Sequence, residues 1–450
     1  MKKILSMIFA LMAIAIGAWA QTGTPYAVLC TDNHTLYFTV SSTEIAAGDT
    51  FTPAAGGAAQ TVSRVWSGTQ VTAGRPWSNS SSIRTDIHTV VFEPSFADVR
   101  PTTLYDWFYY CENLGSISGM EHLNTSQATL MSGMFQNCSS LTEIDLSHFD
   151  VGQVTKMSYM FAGCKQLQQL DLSGWQAPNL TEMTGAFSGC SALQTVNLEG
   201  FYAPKLRNIG NLFYNCGNLM SADLSAFTTG AVSNVSEMFE NCTALQTVRF
   251  ADDFDVSGVS QFSYMFYHCA SLQSIDLSKF HPDEVTTLAN MFDGCAALQT
   301  VSLGGLCTNI GNRHFNGDLS AMFNGCAALT AVDFTGMNTA YVTDMSNMFN
   351  GDQAMQAIYV GDAWSTEAVT ESEYMFYGCQ SIVGEDGTTY ETPIEVNYAV
   401  EDQTPINVTK AHYGVGGYLR YKHTLYTITI PASGTGTFSA AENVTLPEGL

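Results

Sequence analysis

Basic residues are scarce in this chain of 450 residues. Lys and Arg together number 16, against 41 Asp and Glu, which leaves a formal net charge of −25. Nucleic acid and anionic membrane surfaces are therefore unsuitable partners, because both are polyanions. Charged residues of both signs make up only 13% of the sequence, so Ser, Thr, Asn, Gln and Gly must supply much of the polar surface. This composition bears on solubility and does not identify a function.

Long apolar runs are also lacking after the first residues. The chain starts MKKILSMIFALMAIAIGAWAQ, with two lysines, a short apolar core and small residues before Gln21. This layout predicts a signal peptide over residues 1–20 and hence a secreted protein. No later segment reaches the ~20 apolar residues that a membrane-spanning helix needs, so we expect a soluble mature chain without a transmembrane segment. The sequence YAVL before Cys30 is a poor lipobox, so we predict no lipid anchor there.

Motifs of catalytic and metal sites are missing as well. The sequence contains no H-E-x-x-H, no G-x-S-x-G and no C-x-x-C, and GVGGY at Gly414 lacks the spacing of a dinucleotide-binding loop. The nine histidines are scattered along the chain. We therefore predict no enzymatic activity and no cofactor, although a site dispersed over the sequence would leave no such pattern.

An internal repeat dominates the sequence. Eleven units, usually 26 residues apart, carry an apolar pair, most often Met-Phe, and in ten of them a Cys stands three residues after the pair. They are WFYYCENL at Trp107, MFQNCSSL at Met134, MFAGCKQL at Met160, AFSGCSAL at Ala186, LFYNCGNL at Leu212, MFENCTAL at Met238, MFYHCASL at Met265, MFDGCAAL at Met291, MFNGCAAL at Met322, MFNGDQAM at Met348 and MFYGCQSI at Met375. The one long gap, between Cys295 and Cys326, contains an insertion.

Each unit continues with apolar residues at the spacing L-x-x-L-x-L, as in Leu167, Leu170 and Leu172. The last two alternate with polar residues, which predicts a short half-buried strand. One unit buries a single apolar edge and cannot fold alone, so the units must stack into a solenoid with parallel strands on one face. At ~4.8 Å per coil, about eleven coils would span roughly 50 Å.

The repeat resembles a leucine-rich repeat in which aromatic residues replace the usual Asn or Cys after the last Leu. These aromatics are Phe149, Trp175, Phe201, Phe227 and Phe280. The combination M-F-x-x-C-x-x-L-x-x-I-D-L-S-x-F, with V-T-x-M-S-x-M-F from Val342 to Phe349, is similar to the BspA-like repeat family of surface proteins from host-associated Gram-negative bacteria. The similarity covers roughly residues 90–382. It implies an α/β solenoid, a right-handed leucine-rich-repeat-like stack with a parallel sheet on one face, exposed at the outer cell surface.

Composition divides the mature chain further. Residues 21–100, which include TLYFTV and TVVF, read as a β-rich cap that covers the exposed strand edge of the solenoid, itself placed at residues 101–383. Residues 384–422 have linker-like composition, and residues 423–450 form a short β-rich tail. This tail either packs onto the last coil or marks a chain that is shorter than its relatives.

The cysteines form a column with one member in almost every unit. Its members are Cys111, Cys138, Cys164, Cys190, Cys216, Cys242, Cys269, Cys295, Cys326 and Cys379, and Asp352 takes the remaining position. An exported protein favours disulfides, but parallel side chains on adjacent coils do not suit the ~90° twist of a disulfide. We interpret the column as buried free thiols, and the Met and aromatic columns as core rather than as a soft-metal stripe or a sugar-stacking platform. Cys30 and Cys307 lie outside the column and are better candidates for a reactive or paired thiol.

The outward positions of the predicted strands are the candidate binding residues, because the fold does not dictate them. We assign a ligand-binding strip to Asp145, Gln169, Asp171, Thr195, Asn197, Ser221, Asp223, Arg249 and Asp276. The competing interpretation is a hydrated surface without a ligand. A binding strip would suit a protein or a glycan, with Ca²⁺ between carboxylates as a further alternative.

These observations predict a non-catalytic secreted or surface-exposed solenoid that binds other macromolecules through its exposed polar face. The BspA-like resemblance implies adhesion, with host matrix proteins or other cells as partners. The alternative is a glycan-binding surface protein of a nutrient-uptake system. In either case we expect an extracellular protein or glycan as partner and no nucleic acid.

Overall fold

A computed structural model of the chain describes residues 23–54, 56–225, 227–229, 232–283, 285–309, 315–361, 363–382 and 419–421. The repeats form a stack of coils, which confirms the predicted solenoid. Strand residues of one coil pair in parallel with the equivalent residues of the next, 26 positions later: Gln169 with Thr195, and Asp171 with Asn197. The repeat length therefore sets the register of the whole stack.

The strands of the coils are short, as expected for units of 26 residues. On the side predicted to carry the sheet they are β7 (Gln169–Asp171), β8 (Thr195–Asn197), β10 (Ser221–Leu224), β12 (Thr247–Phe250), β13 (Ser274–Asp276), β14 (Thr300–Ser302), β15 (Ala331–Phe334) and β16 (Ala357–Val360). A neighbouring position carries β9 (Tyr202–Ala203) and β11 (Thr228–Thr229). Among the described residues this side is not one continuous ladder. It is divided into the groups β7–β8, β10–β12, β13–β14 and β15–β16, the last of which is joined by the strand Leu419–Tyr421. Residues 141–146 are not part of a named strand.

A second backbone ladder connects the coils on the side of the Met-Phe pairs. The N–H groups of Tyr159, Phe161 and Gly163 donate to carbonyls of the next coil over 2.8, 2.8 and 2.7 Å. The intervening N–H groups of Met160 and Ala162 instead bond three residues back within their own coil. The same inter-coil pattern runs through all eleven turns, from the N–H of Tyr110 to the carbonyl of Tyr377.

Left-handed backbone at two positions of each turn produces this alternation. The residue before the Met position and the residue before the Cys position both have positive φ throughout the stack, for example 57° at Tyr159 and 74° at Gly163. Gly and Asn fill many of these positions because they adopt this conformation at least cost. At the first position the residues other than glycine are Asp106, Tyr159, Asn211, Glu237, Tyr264, Asn290, Ala321, Asn347 and Tyr374.

The interior of the stack consists of the Met, Phe, Cys and Leu columns, which are buried. Rings of the Phe column stack on those of adjacent coils, as for Phe187 and Phe213 with centroids 5.2 Å apart. A second aromatic row is also buried and includes Phe149 and Trp175, 6.1 Å apart. The core interpretation of these columns is confirmed.

The N-terminal unit is built on a sheet that continues into the first coil. Its strands are β1 (Thr24–Cys30), β2 (Thr35–Ser41), β3 (Thr50–Phe51), β4 (Gln60–Ser67), β5 (Thr89–Phe92) and β6 (Ser116–Ser118), in the order β3-β4-β1-β2-β5-β6. Strand β5 is parallel to both β2 and β6, so the cap presents a coil-like strand to the stack. Buried aromatic contacts seal the junction: the Phe38 ring stacks on Trp107 at 5.2 Å, and Trp77 Nε1 donates to the Trp107 carbonyl at 2.6 Å.

Helices are few in the described part of the chain. The α-helices α1 (Thr69–Thr72) and α2 (Ser81–Arg84) lie in the cap. Four segments are 3-10 helices, namely Pro76–Ser78, Pro94–Asp98, Met120–His122 and Gly304–Asn309. The described coils return through turns and extended segments without an α-helix, so the α component of the expected α/β class is confined to the cap. None of the described helices is long and apolar enough to cross a membrane.

The C-terminal end differs from the expectation in one respect. Strand β17 (Leu419–Tyr421), which lies inside the predicted linker at 384–422, pairs in parallel with β16 and extends that sheet. The open edge of β16 explains this pairing, because an unpaired strand edge accepts a further strand. The predicted signal peptide at 1–20 and the tail at 423–450 lie outside the described residues.

Candidate functional site

The nine side chains of the predicted binding strip are all exposed. We call this surface the strand face. The register places Asp171 beside Asn197 and Asp223 beside Arg249, where the Asp223 Oδ2 to Arg249 Nη1 distance is 3.7 Å. Asp276 lies beside Ser302 in a separate strand pair. Asp145 belongs to a coil without a named strand, so the structure brings the members together in pairs and not as one sheet.

All four acidic members of the strand face also have a structural role. One side-chain oxygen accepts the backbone N–H two residues later, at 2.9 Å for Asp145, Asp171, Asp223 and Asp276. Bonds of this type, from the hydroxyl and amide of Ser173, hold the pKa of Asp171 below its usual value. The D-x-S pattern therefore forms an Asx turn at the end of β7, β10 and β13. The sequence signals this role, but our interpretation of the strip missed it.

The cysteine column is a row of buried free thiols, as predicted. Each thiol after the first donates to the Phe carbonyl of the preceding coil, as Cys164 does to Phe135 at 3.2 Å and Cys190 to Phe161 at 3.0 Å. Burial raises the pKa of Cys190 to about 12, so these thiols are protonated and unreactive in the folded protein. The column is part of the scaffold.

The expectation of a reactive or paired Cys30 is wrong. This residue lies in β1, is fully buried and forms no disulfide, and burial together with the nearby Asp32 raises its pKa to about 11. The Cys30 side chain is part of a small apolar cluster, which explains why its thiol is unreactive. The side chain of Cys307 lies outside the described residues.

Asp352 occupies a thiol position of the column and is fully buried. Neither carboxylate oxygen has a hydrogen-bond partner of good geometry within the described part of the chain, and the Cys326 backbone lowers the pKa of the carboxyl by less than burial raises it. Burial raises the pKa of this carboxyl from 3.8 to about 8. The break in the column marks Asp352 in the sequence, but only the structure shows that the carboxyl stays inside.

Sequence reasoning overlooked the surface beside the Met-Phe pairs. We define the turn face as the outward side chains of the nine-residue segments that end at each column position, such as residues 156–164. Its tyrosines include Tyr159, 43% exposed, and Tyr264, 39% exposed. Packing in the core does not constrain these positions, so the tyrosines that recur there could have indicated a functional surface.

A pocket of about 560 Å³ lies in the cap beside β2 and β3. Its lining includes Glu44, Asp49 and Glu93. The buried Glu93 already accepts hydrogen bonds from Thr39 Oγ1 at 2.9 Å and from the Ala54 amide at 2.6 Å. Within the described residues no group of three His, Cys, Asp or Glu side chains is arranged to hold a metal ion.

Three solved structures of bacterial leucine-rich repeat proteins are similar to this chain. The first is a leucine-rich cell surface protein from Faecalibacterium prausnitzii, 17% identical, with 85% of this chain and 96% of that chain covered and a TM-score of 0.36. The second, from Bacteroides ovatus, is 15% identical over 80% and 92%, with a TM-score of 0.36. The third, from Eubacterium ventriosum, is 14% identical over 83% and 95%, with a TM-score of 0.30. Identities this low describe a likeness of fold alone.

A search of curated protein sequences found no significant match. One family profile does match, over residues 102–222, 207–303 and 317–399, which together make up more than half of the chain. These ranges coincide with the stacked repeats. The BspA-like resemblance is a finer assignment and stays a prediction. The chain belongs to the family described as Mycoplasma protein of unknown function, DUF285.

Proposed function

We propose that this protein is a non-catalytic repeat protein, secreted or held at the outer surface of a Gram-negative bacterium, that binds extracellular macromolecules through its strand face. The observation that supports this most is the row of exposed polar side chains carried at a fixed spacing by the coils. Such a surface suits an extended partner.

Rigidity supports the same function. Backbone hydrogen bonds connect the coils at the turns along the whole stack, and the interior is filled by stacked rings and thiols. A surface that is already ordered before binding loses little conformational entropy when the partner docks. Among possible partners we place host matrix proteins and proteins of other cells first, because the BspA-like resemblance implies adhesion, and glycans second.

The test uses the mature chain, residues 21–450, immobilised against a panel of matrix proteins, host extracts and polysaccharides. The strand face is altered by Asp145→Asn, Asp171→Asn and Asp223→Asn together. Asn retains the acceptor of the Asx turn, as Asn197 shows by accepting the Glu199 amide at 3.1 Å, so the variant removes charge without removing the turn.

A control variant changes the net charge equally at exposed carboxylates elsewhere, with Asp98→Asn, Asp253→Asn and Asp283→Asn. We expect the strand-face variant to lose binding to the captured ligand by about tenfold or more, since each charged hydrogen bond contributes ~1.5–3 kcal/mol, and the control to bind as the unmodified protein does. Equal weakening of both variants would show a dependence on net charge only. No weakening of either would exclude the strand face.

A further inference from the structure

The turn face is strongly acidic. Its eleven nine-residue segments contain one basic residue, Lys156, which pairs with Glu182 at 2.8 Å. Apart from the fully buried Asp352, the acidic residues of these segments are Asp106, which is also buried, and Glu182, Glu237, Glu240, Asp293, Asp318, Asp344, Glu371 and Glu373. Tyrosines stand between them, so this surface offers negative charge and aromatic rings together.

On this face the first coil already contacts two arginine side chains of the cap. Arg75 pairs with the Asp106 carboxylate at 2.7 Å while its guanidinium lies 4.7 Å from the centre of the Tyr105 ring. The Arg84 guanidinium lies 5.8 Å from the Tyr109 ring and 5.6 Å from the Tyr110 ring. In the first coil, therefore, a carboxylate and tyrosine rings at the turn positions contact guanidinium groups.

Two of these groups recur in the middle of the stack, in adjacent coils. Glu237 occupies the column position of Asp106, and Tyr267 occupies that of Tyr109. Tyr267 packs edge-on against Tyr264, with ring centroids 5.4 Å apart. Glu240 and Asp293 take the Tyr267 position in the coils on either side, so one ring lies between two carboxylates at a spacing of ~4.8 Å per coil.

Two of these groups, Glu237 and Glu240, have no ionic partner among the described residues. No ion pair or cation–π contact found there includes Glu237, Glu240 or Tyr267. Burial, and then the neighbouring Glu237, raise the pKa of Glu240. Burial also raises the pKa of Asp293, although Asn324 donates to it at 2.9 Å. His268 lies next to Asp293 and Tyr267: it lowers the pKa of Asp293, and its ring stacks on that of Tyr267 with centroids 4.0 Å apart.

We propose that Glu237, Glu240, Tyr264, Tyr267 and Asp293 bind guanidinium groups of an extended, arginine-rich segment of a partner protein. A guanidinium is planar, stacks on an aromatic ring and donates paired hydrogen bonds to a carboxylate, whereas an ammonium is a compact, strongly hydrated charge. Arginine therefore fits this cluster better than lysine. The site is separate from the strand face and extends the set of partners to basic proteins.

A second copy of the arrangement lies four coils further along. Tyr374 and Tyr377 are perpendicular at 5.9 Å, and Glu371 and Glu373 are exposed beside them. At ~4.8 Å per coil the two copies are roughly 19 Å apart, within reach of one extended peptide of about six residues. Two sites on one segment would raise its overall affinity.

The experiment titrates the mature chain into three fluorescein-labelled peptides of identical length, with arginine, lysine or citrulline alternating with glycine. Anisotropy is measured at about 50 and 300 mM NaCl, because screening separates diffuse attraction from close contacts. We expect the arginine peptide to bind at least about threefold more tightly than the lysine peptide, and the citrulline peptide not to bind.

The decisive variant is Tyr264→Asn with Tyr267→Asn. Asn occurs in both columns, at Asn290 and Asn324, and tolerates the left-handed backbone of position 264. Loss of both rings should weaken the arginine peptide by about tenfold and leave the lysine peptide nearly unchanged. The strand-face triple variant should bind the arginine peptide normally.

If the arginine and lysine peptides bind equally well and loss of the two rings has no effect, the attraction is only diffuse electrostatics and the proposal is wrong. Absence of binding by any peptide would overturn it too. An unfolding curve of the double variant that matches the unmodified protein excludes misfolding as the cause of a loss. Continued capture of ligands that depend on the strand face would leave the proposed function intact in either case.

Discussion

Replacing Asp352 by Cys should stabilise the C-terminal coils and remove a pH dependence from them. The carboxyl is fully buried in a column of thiols, its oxygens lack hydrogen-bond partners of good geometry in the described part of the chain, and its pKa is raised from 3.8 to about 8. The folded state therefore holds a proton that the unfolded chain releases near pH 4. Between these values the unfolded state binds fewer protons, so stability falls as the pH rises through this window.

The magnitude follows from the shift. At ~1.36 kcal/mol per unit, keeping the carboxyl in the fold lowers the free energy of unfolding by about 4 kcal/mol at pH 7. Raising the pH from 5 to 8 should lower it by about 4 kcal/mol in the unmodified protein, relative to Asp352→Cys. The neighbouring thiol of Cys379 has a pKa raised to about 12 by burial, so a cysteine at this position would remain neutral throughout.

Coils of a solenoid contact only their neighbours, so the effect should be local. Hydrogen exchange of amides in residues 345–379, corrected for intrinsic rates, should accelerate from pH 5 to pH 8 in the unmodified protein and not in Asp352→Cys. Urea unfolding at the same pH values gives the free energies. Asp171→Asn, at an exposed carboxylate, is the control and should keep the slope. Equal pH dependence in Asp352→Cys and the unmodified protein would show that Asp352 is ionised and hydrated in the fold, and the reasoning would be wrong.

Three further outcomes are expected. A thiol reagent should label almost none of the column cysteines in the folded protein and should label them rapidly in denaturant, and fast labelling of the folded chain would contradict their burial. Gly119→Ala should lower the free energy of unfolding more than Gly174→Ala: both have φ near 70°, but only at Gly119 would the new Cβ lie 2.0 Å from a backbone atom, the Phe92 carbonyl oxygen. The shared backbone cost is ~1–2 kcal/mol, and equal losses in urea unfolding would refute the crowding. Phe187→Ala should cost ~3–5 kcal/mol and Phe187→Leu clearly less, as measured by the same unfolding experiment.

The columns made the solenoid predictable from the sequence. Repeated apolar positions such as Leu167 and Leu170 must face inward in every unit, and a repeat of 26 residues imposes the register. The burial of Cys164 followed from the same reasoning, because ten cysteines at equivalent positions are unlike a single functional site. Patterns of this kind identify the interior, because equivalent interior positions have the same apolar surroundings in every unit.

The continuous connection between coils was not predictable in this way. Tyr159, Glu237 and Ala321 share a left-handed backbone, yet their side chains have nothing in common and only the glycines and asparagines of that column suggest it. The sequence therefore pointed to the strands as the main ladder, whereas the turns form the unbroken one. The pairing of β17 with β16 joins segments far apart in the chain, and no local pattern encodes such a contact.

The candidate site was predicted in part for the same reason. Exposure of Asp171 and its neighbours follows from strand alternation, but the Asx turns depend on side-chain geometry. The acidic tyrosine cluster involves residues from three coils, Glu237 to Asp293, that become neighbours only in the stack.

The long unit between Cys295 and Cys326 shows how the stack treats extra residues. Despite its additional length, the amides of Phe292 and Gly294 still donate to Met322 and Asn324 at 2.9 and 2.7 Å. The two coils that flank the insertion therefore stay hydrogen-bonded to each other at the turns. A reporter domain or an epitope could therefore be inserted at this position without changing the spacing of the coils.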